Sequence, residues 1–148
     1  MRVLLTGASS FTGCWIAKAL AAQGAEVTAV CRGRPELYDP ARRARIEAVA
    51  RRAAVVFDRP FGSAGFLQLI DEAVPFEVFC LHHAEVGDFR GPDFRALAAA
   101  RSDTAGLERG LERMVRRGLL RLVHTGTVFE AGEGEGDRPL RAIGAYGL

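Results

Sequence analysis

Hydrophobic residues fall along this chain in short unbroken runs, separated by longer stretches in which they recur every three or four positions. The runs Arg2–Thr6 (RVLLT), Glu26–Cys31 (EVTAVC), Ala54–Phe57 (AVVF), Glu77–Leu81 (EVFCL) and Leu119–His124 (LLRLVH) have the length and β-branched content of buried strands. Between them, Phe11–Gln23 reads as a helix with Trp15, Ile16, Ala19 and Leu20 on its apolar face, closed by Gly24. Tyr38–Arg52 places Ile46, Val49, Ala50 and Ala53 at helical spacing, and Ser63–Ala73 predicts a third helix. Pro92–Gly118 predicts one long helical tract with Leu107, Leu111, Met114 and Val115 on one face. Strands alternating with helices imply a parallel sheet with helices on both faces, because right-handed crossovers put them there. The expected fold class is α/β, a doubly wound parallel sheet with strand order 3-2-1-4-5. Ala131–Asp137 reads as an acidic loop after the last strand, and the chain stops at Leu148, where a further helix is expected.

Composition narrows the class. With 148 residues, 49% apolar and 26% charged, the chain has the make-up of one soluble globular domain. A net charge of +2 gives no electrostatic reason to expect nucleic acid. No apolar run approaches the roughly 20 residues that cross a bilayer, and MRVLLTGAS turns polar too soon for a signal peptide, so a cytoplasmic protein is expected. All the basic residues but Lys18 are arginine, which lowers the meaning of any single Arg. Cys14, Cys31 and Cys80 are far apart and odd in number, without zinc spacing; reduced, buried thiols are expected.

The chemical signal lies in Thr6-Gly7-Ala8-Ser9-Ser10-Phe11-Thr12-Gly13, directly between the first strand and the first helix. In that context Gly7 permits a tight turn out of the strand, and Gly13 lets the helix pack closely on the sheet. The helix N-terminus then offers backbone N–H groups and a partial positive charge to a pyrophosphate. Ser10 stands where such turns usually carry a middle glycine, so its hydroxyl either donates to the phosphate or crowds it. Ser9, Phe11 and Thr12 complete the candidate cradle.

At this turn the chain resembles the extended branch of the short-chain dehydrogenase/reductase superfamily, the epimerase and dehydratase type, whose pattern T-G-[AG]-x-G-F-[IT]-G is met except at Ser10. The resemblance runs the length of the chain and implies a Rossmann sheet, a bound NAD(P) and a nucleotide sugar or similar hydroxylated substrate. By it, Asp58 corresponds to an acid that contacts adenine, and His83 and Ala84 lie in a segment passing the pyrophosphate and nicotinamide ribose. Ser102-Asp103-Thr104-Ala105-Gly106 matches a helix motif v-N-x-x-G, with Asp103 in place of an Asn that ties helix to strand. Val123–Phe129 resembles [ST]-x-x-V-Y-G, making Thr125 the hydroxyl that binds the substrate oxygen, with Thr127 as the alternative register. Ala145-Tyr146-Gly147-Leu148 resembles the opening of Y-x-x-x-K, so Tyr146 is the expected acid/base, the lysine of that motif falling at position 150. A phenol of ordinary pKa near 10 needs a neighbouring cation to act as a base at neutral pH. The resemblance also allows a homodimer, and it implies that residues 1–148 are the cofactor-binding domain, with a C-terminal substrate-binding region lying outside this chain.

Read without the resemblance, Tyr146 is a surface tyrosine, Asp58 a loop acid and the His82-His83 pair a strand end that caps or packs; a metal role lacks the accompanying carboxylates. Cofactor choice turns on the end of the second strand. NAD sites usually carry an acid there for the ribose hydroxyls. Here Cys31 is followed by Arg32-Gly33-Arg34, and an arginine fork suits a 2′-phosphate, which favours NADP over NAD. Two functions stand beside each other: an NAD(P)-dependent epimerase, dehydratase or reductase, and an NAD(P)-sensing module without turnover. For the chain alone, cofactor binding without turnover is expected.

Overall fold

The structure is a computed structural model and describes residues 1–85, 87 and 93–126. Its elements are β1 (Arg2–Thr6), α1 (Phe11–Ala22), β2 (Glu26–Val30), a 3₁₀ turn (Pro35–Leu37), α2 (Pro40–Ala50), β3 (Ala54–Val56), α3 (Ala64–Glu72), β4 (Val78–Leu81), α4 (Ala96–Thr104), α5 (Leu107–Arg116) and β5 (Arg121–His124). The five strands form one parallel sheet in the order β3-β2-β1-β4-β5, as the alternation predicts. Among the described residues, no helix is long and apolar enough to cross a membrane.

The chain divides into two compact bodies. The first, Met1–His83 with Ala105–His124, holds the whole sheet. Side chains of β1 alternate between its two faces. Val3 and Leu5 join Cys14 and Ala17 of α1 and Val49 of α2, whereas Leu4 joins Phe66, Leu67 and Ile70 of α3 and Met114 of α5. A strand covered on both faces must be apolar throughout, which is why RVLLT carries no alternation. Each of α1, α2 and α3 starts on a side-chain cap: Ser10, Asp39 and Ser63 accept the N–H of Gly13, Arg42 and Phe66. The second body comprises Ala84–Thr104 and Thr125–Leu148, of which α4 is the described helix.

Three expectations need correction. The core face of α1 is Gly13, Cys14 and Ala17, with Ile16, Leu20 and Ala21 partly buried beside it, while Trp15 and Ala19 are exposed. Small residues let the helix approach the sheet, and Trp15 instead carries the Lys18 ammonium 3.8 Å from its ring centroid. Val115 is likewise exposed, the face of α5 being Leu107, Gly110, Leu111 and Met114. Finally, the tract from 92 to 118 is not one helix. It breaks between α4 and α5 at Gly106, whose φ is +75°. At the sheet edge, Leu122 and Val123 of β5 point to opposite faces and are both about half exposed.

Candidate functional site

β1 delivers the chain to Gly7 at the carboxyl end of the sheet, beside the end of β4. In the order 3-2-1-4-5 the connections run opposite ways on either side of this point, so a crevice opens there. Gly7 has φ +74°, and a Cβ on it would stand 2.5 Å from the His82 carbonyl oxygen. Both facts require glycine. Gly13 meets something nearer than the sheet: a Cβ there would overlap the carbonyl oxygen of Gly7 and come 2.9 Å from Ser10 Oγ. The turn thus closes on itself, with Ser10 N–H donating to Gly7 O at 3.0 Å and Gly13 N–H to Ser10 Oγ at 2.9 Å. The amides of Phe11 and Thr12, first in α1, have no partner among the described residues, and both side chains are exposed. Two free donors at the positive end of a helix suit an anion.

Beneath the turn, buried Thr6 ties β1 to the end of β4. Its hydroxyl oxygen accepts the N–H groups of His82 (3.0 Å) and His83 (3.3 Å). These fill both lone pairs, so its own proton goes to Cys80 O (3.4 Å) or His83 Nδ1 (3.1 Å). The His83 ring lies against Phe61, centroids 4.4 Å apart. His82 Nε2 is 3.3 Å from Ser10 Oγ, and burial lowers the pKa of this ring.

At the ends of β2 and β3 lies a cavity of about 370 Å³, lined by Arg32, Gly33, Tyr38, Asp39 and Arg42 among others. Cys31 is buried, and burial pushes its thiol up to about 11, against a smaller opposite effect of its hydrogen bond with Tyr38. It stays neutral, so it cannot serve as the acid that ribose hydroxyls usually meet at this strand end. The Tyr38 hydroxyl accepts Gly33 N–H at 3.1 Å, shaping the cavity wall, and burial raises its pKa. Arg34 turns elsewhere: its Nε lies 3.7 Å from Asp58 Oδ2, and both side chains are exposed. Asp58 sits at φ +56°, its N–H donating to Gly33 O. Asp39 caps α2 through Oδ1 on Arg42 N (2.8 Å), while Oδ2 lies 3.5 Å from Arg42 Nε. That backbone hydrogen bond, with the charges of Arg42 and Arg45, holds its carboxyl below the usual carboxylate range. From the same helix Arg45 Nη1 donates to Ser9 O at 3.4 Å, so α2 presents arginine to both the cavity and the Gly7–Gly13 turn.

A family model for the NAD dependent epimerase/dehydratase family matches residues 3–148. The chain belongs to that family. No curated protein matches it. Among solved structures it is similar to UDP-glucuronic acid 4-epimerase from Bacillus cereus in complex with NAD (20% identity, TM-score 0.67), covering 99% of this chain and 48% of that one. It is also similar to UDP-glucose 4-epimerase with UDP-glucose from Thermotoga maritima (18%, TM-score 0.69), covering 99% and 47%. A short-chain type dehydrogenase/reductase from Mycobacterium marinum matches at 19% and TM-score 0.65, covering 98% and 61%. At these identities the likeness shows the fold. The chain spans about half the length of the two epimerases.

The remaining expected residues of this epimerase/dehydratase family member divide between the two bodies. Gly7, Ser9, Ser10, Phe11, Thr12, Gly13, Arg32, Asp58 and His83 lie in the first; Ala84 and Thr125, both exposed, lie in the second. Thr125 directly follows β5. Thr127 and Tyr146 lie outside the described residues. Asp103, which stands in place of Asn, still makes a tie: both its carboxylate oxygens accept Glu85 N–H, at 2.8 and 3.0 Å. Gly106 of the same motif has its reason in the first body, where a Cβ would stand 2.7 Å from Gly62 Cα. Tyr38, Asp39, Arg42, Arg45 and the His82–Ser10 contact are not evident from the sequence pattern. Asp39-Pro40 before an arginine-rich helix is an N-cap signature that could have located Arg42.

Proposed function

We propose that the chain is the cofactor-binding domain of an NAD(P)-dependent enzyme that epimerises, dehydrates or reduces a nucleotide sugar or similar hydroxylated substrate. The observation that carries this reading is the Gly7–Gly13 turn, closed so tightly that neither glycine admits a Cβ, with the Phe11 and Thr12 amides open at the crevice. Family membership and the epimerases of the same fold support the substrate class. The nicotinamide, when bound, supplies the hydride acceptor. Phe11, Thr12 and Ser10 hold the pyrophosphate, and His83 and Ala84 border its path towards the nicotinamide ribose. Asp58 meets the adenine. Thr125 donates its hydroxyl to the substrate oxygen, and Tyr146 takes the hydroxyl proton as hydride leaves the carbon. NADP is preferred to NAD: Cys31 offers the ribose no charge, while Arg32 and Arg42 line the cavity beside it.

Tyr146 needs a cation to lower its pKa and a fixed position to reach the proton it moves. Where Tyr146 has both, we propose turnover; where either is missing, NAD(P) binding without turnover, so the comparison to make is between these 148 residues and a chain extended through the motif's lysine and a substrate-binding region. Assays of both lengths on UDP-sugars, following product and reduced nicotinamide, test this. Turnover by the longer chain that Tyr146→Phe abolishes is the expected result. Turnover that survives Tyr146→Phe removes it from the mechanism.

A further inference from the structure

His82 and Ser10 meet across the turn, Nε2 to Oγ at 3.3 Å, and their surroundings determine which atom carries the proton. The other ring nitrogen, Nδ1, is buried with no hydrogen-bond partner. An orphaned buried N–H is the rarer and costlier way to leave such an atom, so the proton resides on Nε2. Burial lowers the pKa of the ring, which keeps it neutral. Nε2–H then donates to Ser10 Oγ, and Gly13 N–H donates to the same oxygen at 2.9 Å. A serine hydroxyl has two lone pairs and one proton. With both lone pairs taken, the Ser10 proton must point away from His82 and Gly13, and no acceptor among the described residues receives it.

We infer that His82 is a positioning residue that fixes the Ser10 hydroxyl as a third donor to the dinucleotide phosphate, beside the Phe11 and Thr12 amides. The inference rests on the reading that this turn receives the pyrophosphate. It explains how a side chain is accommodated where such turns usually carry glycine: the hydroxyl is held by two donors and serves as a directed group. Neither His82 nor Ser10 needs charge for this, so the effect persists across the neutral range.

The test combines ¹⁵N NMR of the His82 ring in the ligand-free chain with NADP⁺ titrations of the unaltered chain, Ser10→Ala, His82→Leu, His82→Gln and the Ser10→Ala/His82→Leu double variant. The expected ring is the neutral Nε2–H tautomer. Ser10→Ala should weaken NADP⁺ roughly tenfold, the scale of a hydrogen bond to a charged group. His82→Leu should weaken it several-fold without lowering the melting temperature, because a buried unpaired polar atom has gone. The double variant should bind no worse than Ser10→Ala, since the two act through one hydroxyl, and His82→Gln, which keeps an N–H donor, should recover most of the affinity. An Nδ1–H tautomer, unchanged affinity in Ser10→Ala, or fully additive losses would overturn the inference and leave the cofactor reading standing. Absence of dinucleotide binding by the unaltered chain would overturn both.

Discussion

Replacing Arg42 with alanine separates the two cofactors. Arg42 lines the cavity at the ends of β2 and β3, and Asp39 engages it side-on at Nε, which leaves the terminal pair of guanidinium nitrogens for a ligand. A charge-assisted hydrogen bond to a 2′-phosphate contributes about 1.5–3 kcal/mol, so Arg42→Ala should weaken NADP⁺ about 10- to 150-fold. NAD⁺, which lacks that phosphate, should change little. Folding should be nearly untouched. The helix cap uses the Arg42 backbone N–H, which alanine retains, and the Arg42–Asp39 ion pair is largely exposed and screened by solvent, so its loss costs little. Arg34→Ala is the matched comparison, because Arg34 pairs with Asp58 and does not line the cavity; its NADP⁺/NAD⁺ ratio should stay that of the unaltered chain. Isothermal titration of both cofactors into the unaltered chain and each variant gives the ratios to compare. Equal losses for NADP⁺ and NAD⁺ in Arg42→Ala would refute the reasoning, since the arginine would then act only as general charge.

Further outcomes follow from single residues. Gly7→Val should abolish dinucleotide binding and lower the melting temperature as well, because its Cβ meets the His82 carbonyl at 2.5 Å and its φ of +74° strains any side chain; a variant that binds normally removes the turn from the site. Stability should be full between about pH 6.5 and 8, below the range in which the unfolded chain's thiols ionise, and fall below about pH 6.5, since burial depresses the pKa of His82 in the fold and protonation therefore favours the unfolded chain. Asp39 and Glu77, both held low, add a second loss at more acid pH. Urea titrations from about pH 2 to 8 measure both losses, and a flat profile between about 5 and 7 contradicts the half-buried, neutral His82. Cys31, with its thiol at about 11, should resist iodoacetamide at about pH 7.5 in the folded chain and react once denatured; fast native labelling, read by peptide mass spectrometry, refutes its burial.

The strand order was legible because five short apolar runs alternate with helical spacing, and β1 and β4, covered on both faces, are apolar almost throughout, whereas the exposure of β5 at the sheet edge is not written in its sequence. Gly7 was legible for a related reason: glycine between a strand and a helix marks a backbone that must come close to something. What it approaches, the His82 carbonyl, is a contact far along the chain that no local pattern encodes. The break at Gly106 was hidden because a glycine inside an apolar periodicity reads as a tolerated helix residue, while the crossing with Gly62 that demands it is non-local. Trp15 was misplaced because helical spacing groups it with Ile16, Ala19 and Leu20 as one apolar face, whereas the helix needs the small residues Gly13, Cys14 and Ala17 to reach the sheet. Arg42 could not be told from its neighbours in a run of arginines; only the cap on Asp39 and the cavity distinguish it.

The central claim is that the Gly7–Gly13 turn receives a dinucleotide. The most direct measurement is a crystal structure of the chain grown with NADP⁺. The expected result is a pyrophosphate within hydrogen-bond distance of the Phe11 and Thr12 amides and a 2′-phosphate facing Arg42. A dinucleotide bound elsewhere, or those two amides still without a ligand at saturating NADP⁺, would contradict it.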